Sequence, residues 1–197
     1  DLHPLADLPQ VLQPKAGYVY NTNHSPFHST FGTDNPVVKD VTMGYETLEN
    51  NRSMRFDELM RPLNKVSYED FKRIKFDRQF PSSFYFPSRI DSVFLLNSTE
   101  FPDIADIITQ LNNWNRNSDV DNIGAGTFFF VQAAASNNKA LYLQNKTIGK
   151  LLAAQLLREA KQTMLKDFGK TNISLGEVQK LVRGTKEIPL PGLPDVL

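Results

Sequence analysis

Apolar positions along this chain repeat with two different periods, and the switch between them marks its organisation. From Gly17 to Pro26 aromatic and β-branched residues alternate, which predicts a strand over 17–23. Tyr18 and Tyr20 would share one face of it, with Val19 opposite. Asn21 and Asn23 would share a side, so both carboxamides can aim at one place. Pro26 has no backbone donor and ends the ladder. Beyond residue 50 the period becomes helical. Arg52 to Arg61 reads as a helix capped by Asn50 or Asn51 and stopped by Pro62, burying Met54, Leu59 and Met60. A second helix starts at Ser67, with Asp70 completing a capping-box-like pair, Val66 and Phe71 as a staple, and Phe71, Ile74 and Arg78 at helical spacing. Ile104, Ile107, Ile108, Leu111 and Trp114 fall on one helix face after Pro102. The longest helix spans Thr147 to Phe168, with Ile148, Leu151, Leu152, Leu156, Ala160 and Met164 as its stripe and Gly169 as a left-handed cap. Ser174 and Glu177 form another capping box, stapled by Ile173 and Val178, for a short helix ending at Arg183-Gly184.

Between these elements the pattern is less regular. Residues 1–16 carry Pro4, Pro9 and Pro14 and run extended, and Phe27 to Tyr45 reads as a long loop. Phe80, Phe84, Tyr85 and Phe86 lie between two prolines and must bury their rings, in ordinary core or in an acyl-chain pocket. Thr127 to Ala135 is a continuous apolar run that suits a buried strand by propensity, whereas its alanines favour helix. Asn112 to Asn122, with Asp119 and Asp121 alternating, has the look of a cation loop but lacks the glycine and closing glutamate of an EF-hand, so no metal site is assigned. Residues 185–197 are proline-rich and extended. The pattern as a whole is mainly α with a few β-strands.

Composition narrows the chemistry. Lys plus Arg equals Asp plus Glu at 22 each, which argues against a polyanion binder over the whole chain. The balance is uneven locally: residues 139–184 carry nine bases against three acids, a pattern that fits a solvated helix face better than a nucleic-acid groove, because the bases are not interleaved with exposed aromatics. No cysteine is present, so disulfides, thiolate metal sites and a cysteine nucleophile are excluded. No apolar run is long enough for a spanning helix, and no membrane association is expected. The three histidines, His3, His24 and His28, lack helical metal-pair spacing and read as loop residues.

Gly17-Tyr18-Val19-Tyr20-Asn21-Thr22-Asn23-His24-Ser25-Pro26 resembles the Gly-aromatic-x-x-Asn-x-Asn-x-x-Pro segment in the nucleophile-bearing chain of the penicillin acylase family, which includes acyl-homoserine lactone and cephalosporin acylases. The resemblance continues in order down the chain. Asn51-Arg52-Ser53-Met54-Arg55-Phe56 is similar to the family's Arg-x-x-Arg-hydrophobic helix start, and Ser67 to Pro81 to the stretch that follows. Trp114 and Gly124-Ala125 are similar to its Trp-Asp to Gly-Ala segment. Gly176-Glu177, Arg183-Gly184 and Pro189 to Leu197 are similar to its late segment. Departures are Leu175 and Gln179, where the family often has Trp and His, and Asn115, which replaces the Asp after Trp114.

The resemblance implies an N-terminal nucleophile hydrolase: a hydroxyl residue, usually Ser, attacks an amide while its own α-amine serves as base, with no cofactor. An α-amine titrates near neutral pH and can take that proton. It implies that Asn23 donates its side-chain NH2 to the tetrahedral oxyanion, with Asn21 as the fallback, and that Arg52 organises the nucleophile site. Residue 1 is Asp, which cannot be the hydroxyl nucleophile. The expectation is therefore an interior fragment of the αββα sandwich of such an enzyme together with its helical part. It forms one incomplete domain, with an extended segment over 1–46 and a mostly helical one over 47–197, inactive alone and partnered by the remaining segments of the same precursor. The substrate would be a small acyl-amide, penicillins and acyl-homoserine lactones both being open, and the location periplasmic or secreted. The alternative is a noncatalytic helical interaction module or a degenerate acylase relative.

Overall fold

Asn50 stands in extended conformation before the first helix, α1 (Asn51–Met60), and its side chain accepts the Ser53 N–H while the Ser53 hydroxyl reaches back to Asn50, a complete capping box. This helix belongs to the first of two compact units, Asp1–Lys75 and Phe76–Leu197, in a computed structural model that describes residues 3–83, 90–138 and 147–194. The first unit thus takes in both early helices. Its second helix, α2 (Tyr68–Lys75), starts at the expected Ser67–Asp70 pair, the Ser67 hydroxyl lying 2.6 Å from the Asp70 carboxylate. It carries acids in its first turn and bases in its last, as the helix dipole favours. The helix stops before Arg78, and the expected Val66–Phe71 staple stays exposed, Phe71 by 56%. No residue of α2 is buried.

The strand expected over 17–23 is absent. The segment is extended, but it faces a loop rather than another strand: the Tyr20 N–H donates to Ser29 O and the Thr30 hydroxyl to Tyr18 O. Left-handed residues close it at both ends, Gly17 at φ 76° and Asn23 at φ 60°. The alternation itself survives, with Tyr18 and Tyr20 half-buried and Val19, Asn21 and Asn23 exposed. The inward rings pack on α1, Tyr20 stacking on Phe56 with centroids 4.2 Å apart.

The second unit is built around α4 (Ile123–Asn137), which follows α3 (Ala105–Asn112). The run that could be read as strand is helix, and it is apolar on almost every side because it is central. Phe128 is fully buried, stacking on Trp114 with centroids 5.0 Å apart and meeting Phe80 edge-on. The stripe of Ile104, Ile107, Ile108, Leu111 and Trp114 is buried throughout. Phe84, Tyr85 and Phe86 lie outside the described residues. The longest helix, α5 (Lys150–Phe168), begins at Lys150 after the extended cap Gly149, rather than at Thr147, and is closed by Gly169 in left-handed conformation, φ 70°. Its buried face is Ala153, Ala154, Leu156, Leu157, Ala160 and Met164, and Leu151 is 80% exposed. Ile148, Leu156, Ala160 and Met164 are thus buried as expected and Leu152 packs on the core; only Leu151 faces out, and Ala153, Ala154 and Leu157 widen the buried face.

The last helix, α6 (Leu175–Val178), has the expected capping box but only four residues. It does not run to Arg183. Lys180–Arg183 (β1) and Lys186–Pro189 (β2) pair antiparallel across Gly184-Thr185. Gly184 has φ 60° and Thr185 does not have positive φ, the pattern of a two-residue type II′ hairpin. The protein is thus mostly helical with a small two-stranded sheet, the only sheet among the described residues, and no four-layer sandwich is present there. No described helix is long and apolar enough to cross a membrane. In the Asn112 to Asn122 loop, Arg78 holds Asp119 at 2.5 Å and Asn115 Oδ1 accepts from the Asn117 N–H and Asn122 Nδ2. No cluster of three or more metal-ligating side chains occurs among the described residues.

Candidate active site

The site assembles where the Asn21–Asn23 turn meets the N-terminus of α1. Asn21 Oδ1 accepts the Asn23 N–H at 2.7 Å, closing an Asx turn. This allows Asn23 its left-handed backbone, which asparagine tolerates better than most residues. Asn21 therefore shapes the turn, and its oxygen is committed there.

Asn50 ties that turn to the helix. Its Oδ1 takes the Ser53 N–H at 2.9 Å and the Thr22 hydroxyl at 3.1 Å, and its Nδ2 donates to Thr22 O at 2.8 Å. One buried amide thus caps α1 and holds Thr22 by both its carbonyl and its hydroxyl. His24 adds a second tie, its Nδ1 taking the Thr22 N–H at 3.0 Å and its Nε2 lying 2.8 Å from His28 O. Its ring stacks on Tyr20 at 4.7 Å. Burial, then the nearby Glu49 and Asp57 carboxylates, pushes the Tyr20 hydroxyl far above its usual titration range, and burial does the same more mildly to Tyr18. Both phenols stay neutral, so the aromatic floor under the turn carries no charge.

Across this clamp Arg52 Nη2 donates to Asn23 Oδ1 at 3.2 Å. A guanidinium has only donors, so the contact fixes which way the Asn23 amide faces: oxygen toward Arg52, NH2 away from it. No described residue accepts from that NH2. Arg52 lies in the first turn of α1, where the helix dipole adds positive potential. The turn therefore offers an outward-facing N–H donor backed by a guanidinium and a helix N-terminus, an arrangement suited to a developing oxyanion. The structure brings Asn21, Asn23 and Arg52 together. Sequence reasoning missed His24, which it read as loop, and the grip of Thr22 by Asn50, which it read only as a possible cap. The Asn-x-x-Ser spacing at 50–53 was the available signal for the capping box.

No curated protein matches the chain. The penicillin amidase family model matches residues 1–192, and the chain belongs to that family.

Proposed function

We propose that this chain is the oxyanion-binding part of an acylase-type amidohydrolase that cleaves a small acyl-amide, such as a penicillin or an acyl-homoserine lactone. The observation that carries this reading is the Arg52–Asn23 contact, which turns the Asn23 NH2 outward as a preoriented donor. The nucleophile is an N-terminal Ser supplied outside these 197 residues, and its α-amine is the base. As Ser attacks the carbonyl, the oxygen gains charge, and Asn23 Nδ2 donates to it while Arg52 holds the amide. The remaining segments of the same precursor complete an αββα sandwich around the turn and exclude water, which raises the worth of the donor. The resemblance also points to a periplasmic or secreted enzyme, which fractionation of cells tests directly.

Asn23→Ala in the complete processed enzyme tests the central claim. Loss of one such donor lowers kcat about a hundred- to a thousandfold while KM moves little, because the charge develops only in the transition state. If KM rises and kcat holds, Asn23 binds substrate in the ground state and the reading is wrong.

A further inference from the structure

The two ring nitrogens of His24 each face a group that can play only one hydrogen-bonding role. The Thr22 backbone N–H, 3.0 Å from Nδ1, can only donate, so Nδ1 is bare. The His28 carbonyl, 2.8 Å from Nε2, can only accept, so Nε2 carries the proton. The Thr22 hydroxyl lies 2.9 Å from Nδ1 and 3.1 Å from Asn50 Oδ1, and its one proton can serve either acceptor. The ring is the neutral Nε2–H tautomer, and it spans the turn from residue 22 to residue 28.

We propose that His24 is a positioning residue for the oxyanion donor: this neutral imidazole locks the turn that carries Asn23, and a second proton on the ring unlocks it. The inference rests on the reading of Asn23 given above. A proton on Nδ1 sets two N–H groups against each other and leaves the Thr22 N–H without its acceptor. The new proton finds the Thr22 hydroxyl at 2.9 Å, so the tie moves from the backbone to a rotatable side chain. Asn23 sits next in the chain to Thr22 at φ 60°, a conformation that needs local support. Losing the backbone tie therefore loosens the aim of the amide. The titratable and charged groups near the ring are Tyr20 stacked on it, His28 with Glu49 at 3.9 Å, and Arg52 on Asn23; beyond Tyr20, Asp57 acts on both tyrosines and Arg61 on Tyr18. The Tyr20 phenol is held neutral, so it sets no charge against the ring.

The test uses the complete processed acylase. A long-range 1H–15N correlation spectrum, with His24→Asn to assign the signal, is expected to show His24 as the Nε2–H tautomer at neutral pH. His24→Phe keeps a ring on Tyr20 without either nitrogen, and it lowers kcat about tenfold with KM little changed, the worth of about one hydrogen bond. His24→Asn keeps an acceptor near the Nδ1 position and cannot take a proton. It retains most of the activity and removes one ionisation from the acid limb of the kcat/KM profile. An Nδ1–H tautomer, an acid limb unchanged in His24→Asn, or a silent His24→Phe where Asn23→Ala is crippled, each overturns the positioning role. A silent Asn23→Ala overturns the catalytic reading itself and this inference with it, whereas the spectrum judges the tautomer independently of activity.

Discussion

Asn50 is the residue on which the geometry of the candidate site turns, and its removal separates two jobs that one amide performs. Asn50→Ala deletes an N-cap, typically about 1 kcal/mol, and two further hydrogen bonds to Thr22 worth about 1 kcal/mol each net. Because Oδ1 serves two donors at once the three are coupled, so about 2–3 kcal/mol is expected rather than a strict sum. Asn50→Asp is the informative companion. It keeps both acceptor contacts and adds a negative charge at the helix N-terminus, worth about 0.3–1 kcal/mol. It also replaces the Nδ2 donor with an oxygen facing Thr22 O, which repels the turn. The Ala variant should therefore lose local stability at both 22–24 and 51–54, read as faster hydrogen exchange in peptides covering each segment. The Asp variant should keep protection at 51–54, lose it at 22–24, and lose kcat in the complete enzyme. Wild-type exchange at 22–24 and wild-type kcat in Asn50→Asp would refute the claim that this amide positions Asn23.

Arg52→Lys keeps the charge but not the planar fork, so the Asn23 amide is held less firmly and kcat is expected to fall about tenfold in the complete enzyme; unchanged kcat removes Arg52 from the site. A Cβ on Gly126 would sit 2.1 Å from Ile173 O, a backbone atom with little room to yield, so Gly126→Ala is expected to cost about 3 kcal/mol in urea unfolding, and a near-native midpoint would show that α4 and the 173–175 segment can part easily. The Lys170 contact, with help from Ser174, pulls the Glu177 carboxyl down to about 2. Its folded value lies below its unfolded one, so the stability it adds is present above the usual carboxylate range and is lost as pH falls toward 2. Glu177→Gln keeps the capping box, so comparing unfolding of the two proteins at pH 7 and pH 3 isolates the charge; the site is exposed, the gap at pH 7 should be under about 1 kcal/mol, and a gap that grows on acidification contradicts the assignment.

Where a capping signal and an apolar stripe agree, local chemistry carries the fold. Asn50, Ser67 and Ser174 each start the helix they announce, and the Ile104 to Trp114 stripe is buried as spaced. Period alone misleads in two ways. Alternation over 17–23 reports which side chains face inward, and it does so correctly, but it carries no information about whether a partner strand is there to pair with. Lys180–Arg183 and Lys186–Pro189 show the converse. Both strands are exposed along their length, so no buried face imposes an alternation, and the only sign of pairing is the two-residue Gly184-Thr185 link between them. In the Thr127 to Ala135 run a helix buried on almost every side loses its periodicity for the same reason, since no exposed polar face remains to set the period.

The Arg52–Asn23 contact of the candidate site was expected from resemblance rather than spacing, because the two residues lie 29 positions apart and no local rule joins them. One chemical hint was nonetheless present at Asn50. Serine and aspartate cap a helix with an oxygen acceptor as well as asparagine does, but Asp brings no side-chain donor and Ser only a hydroxyl on the same atom. Asparagine brings an NH2 that points away from the capped N–H, and a buried NH2 needs an acceptor of its own. At a buried cap that acceptor must come from another segment, and here it is Thr22 O. The same logic applies one residue further along the clamp. Asn23 gives its oxygen to Arg52, and its NH2 is bonded to no described residue. Two asparagines thus use opposite ends of the same functional group: Asn50 spends its NH2 on holding the turn, which leaves the NH2 of Asn23 as the donor the turn presents.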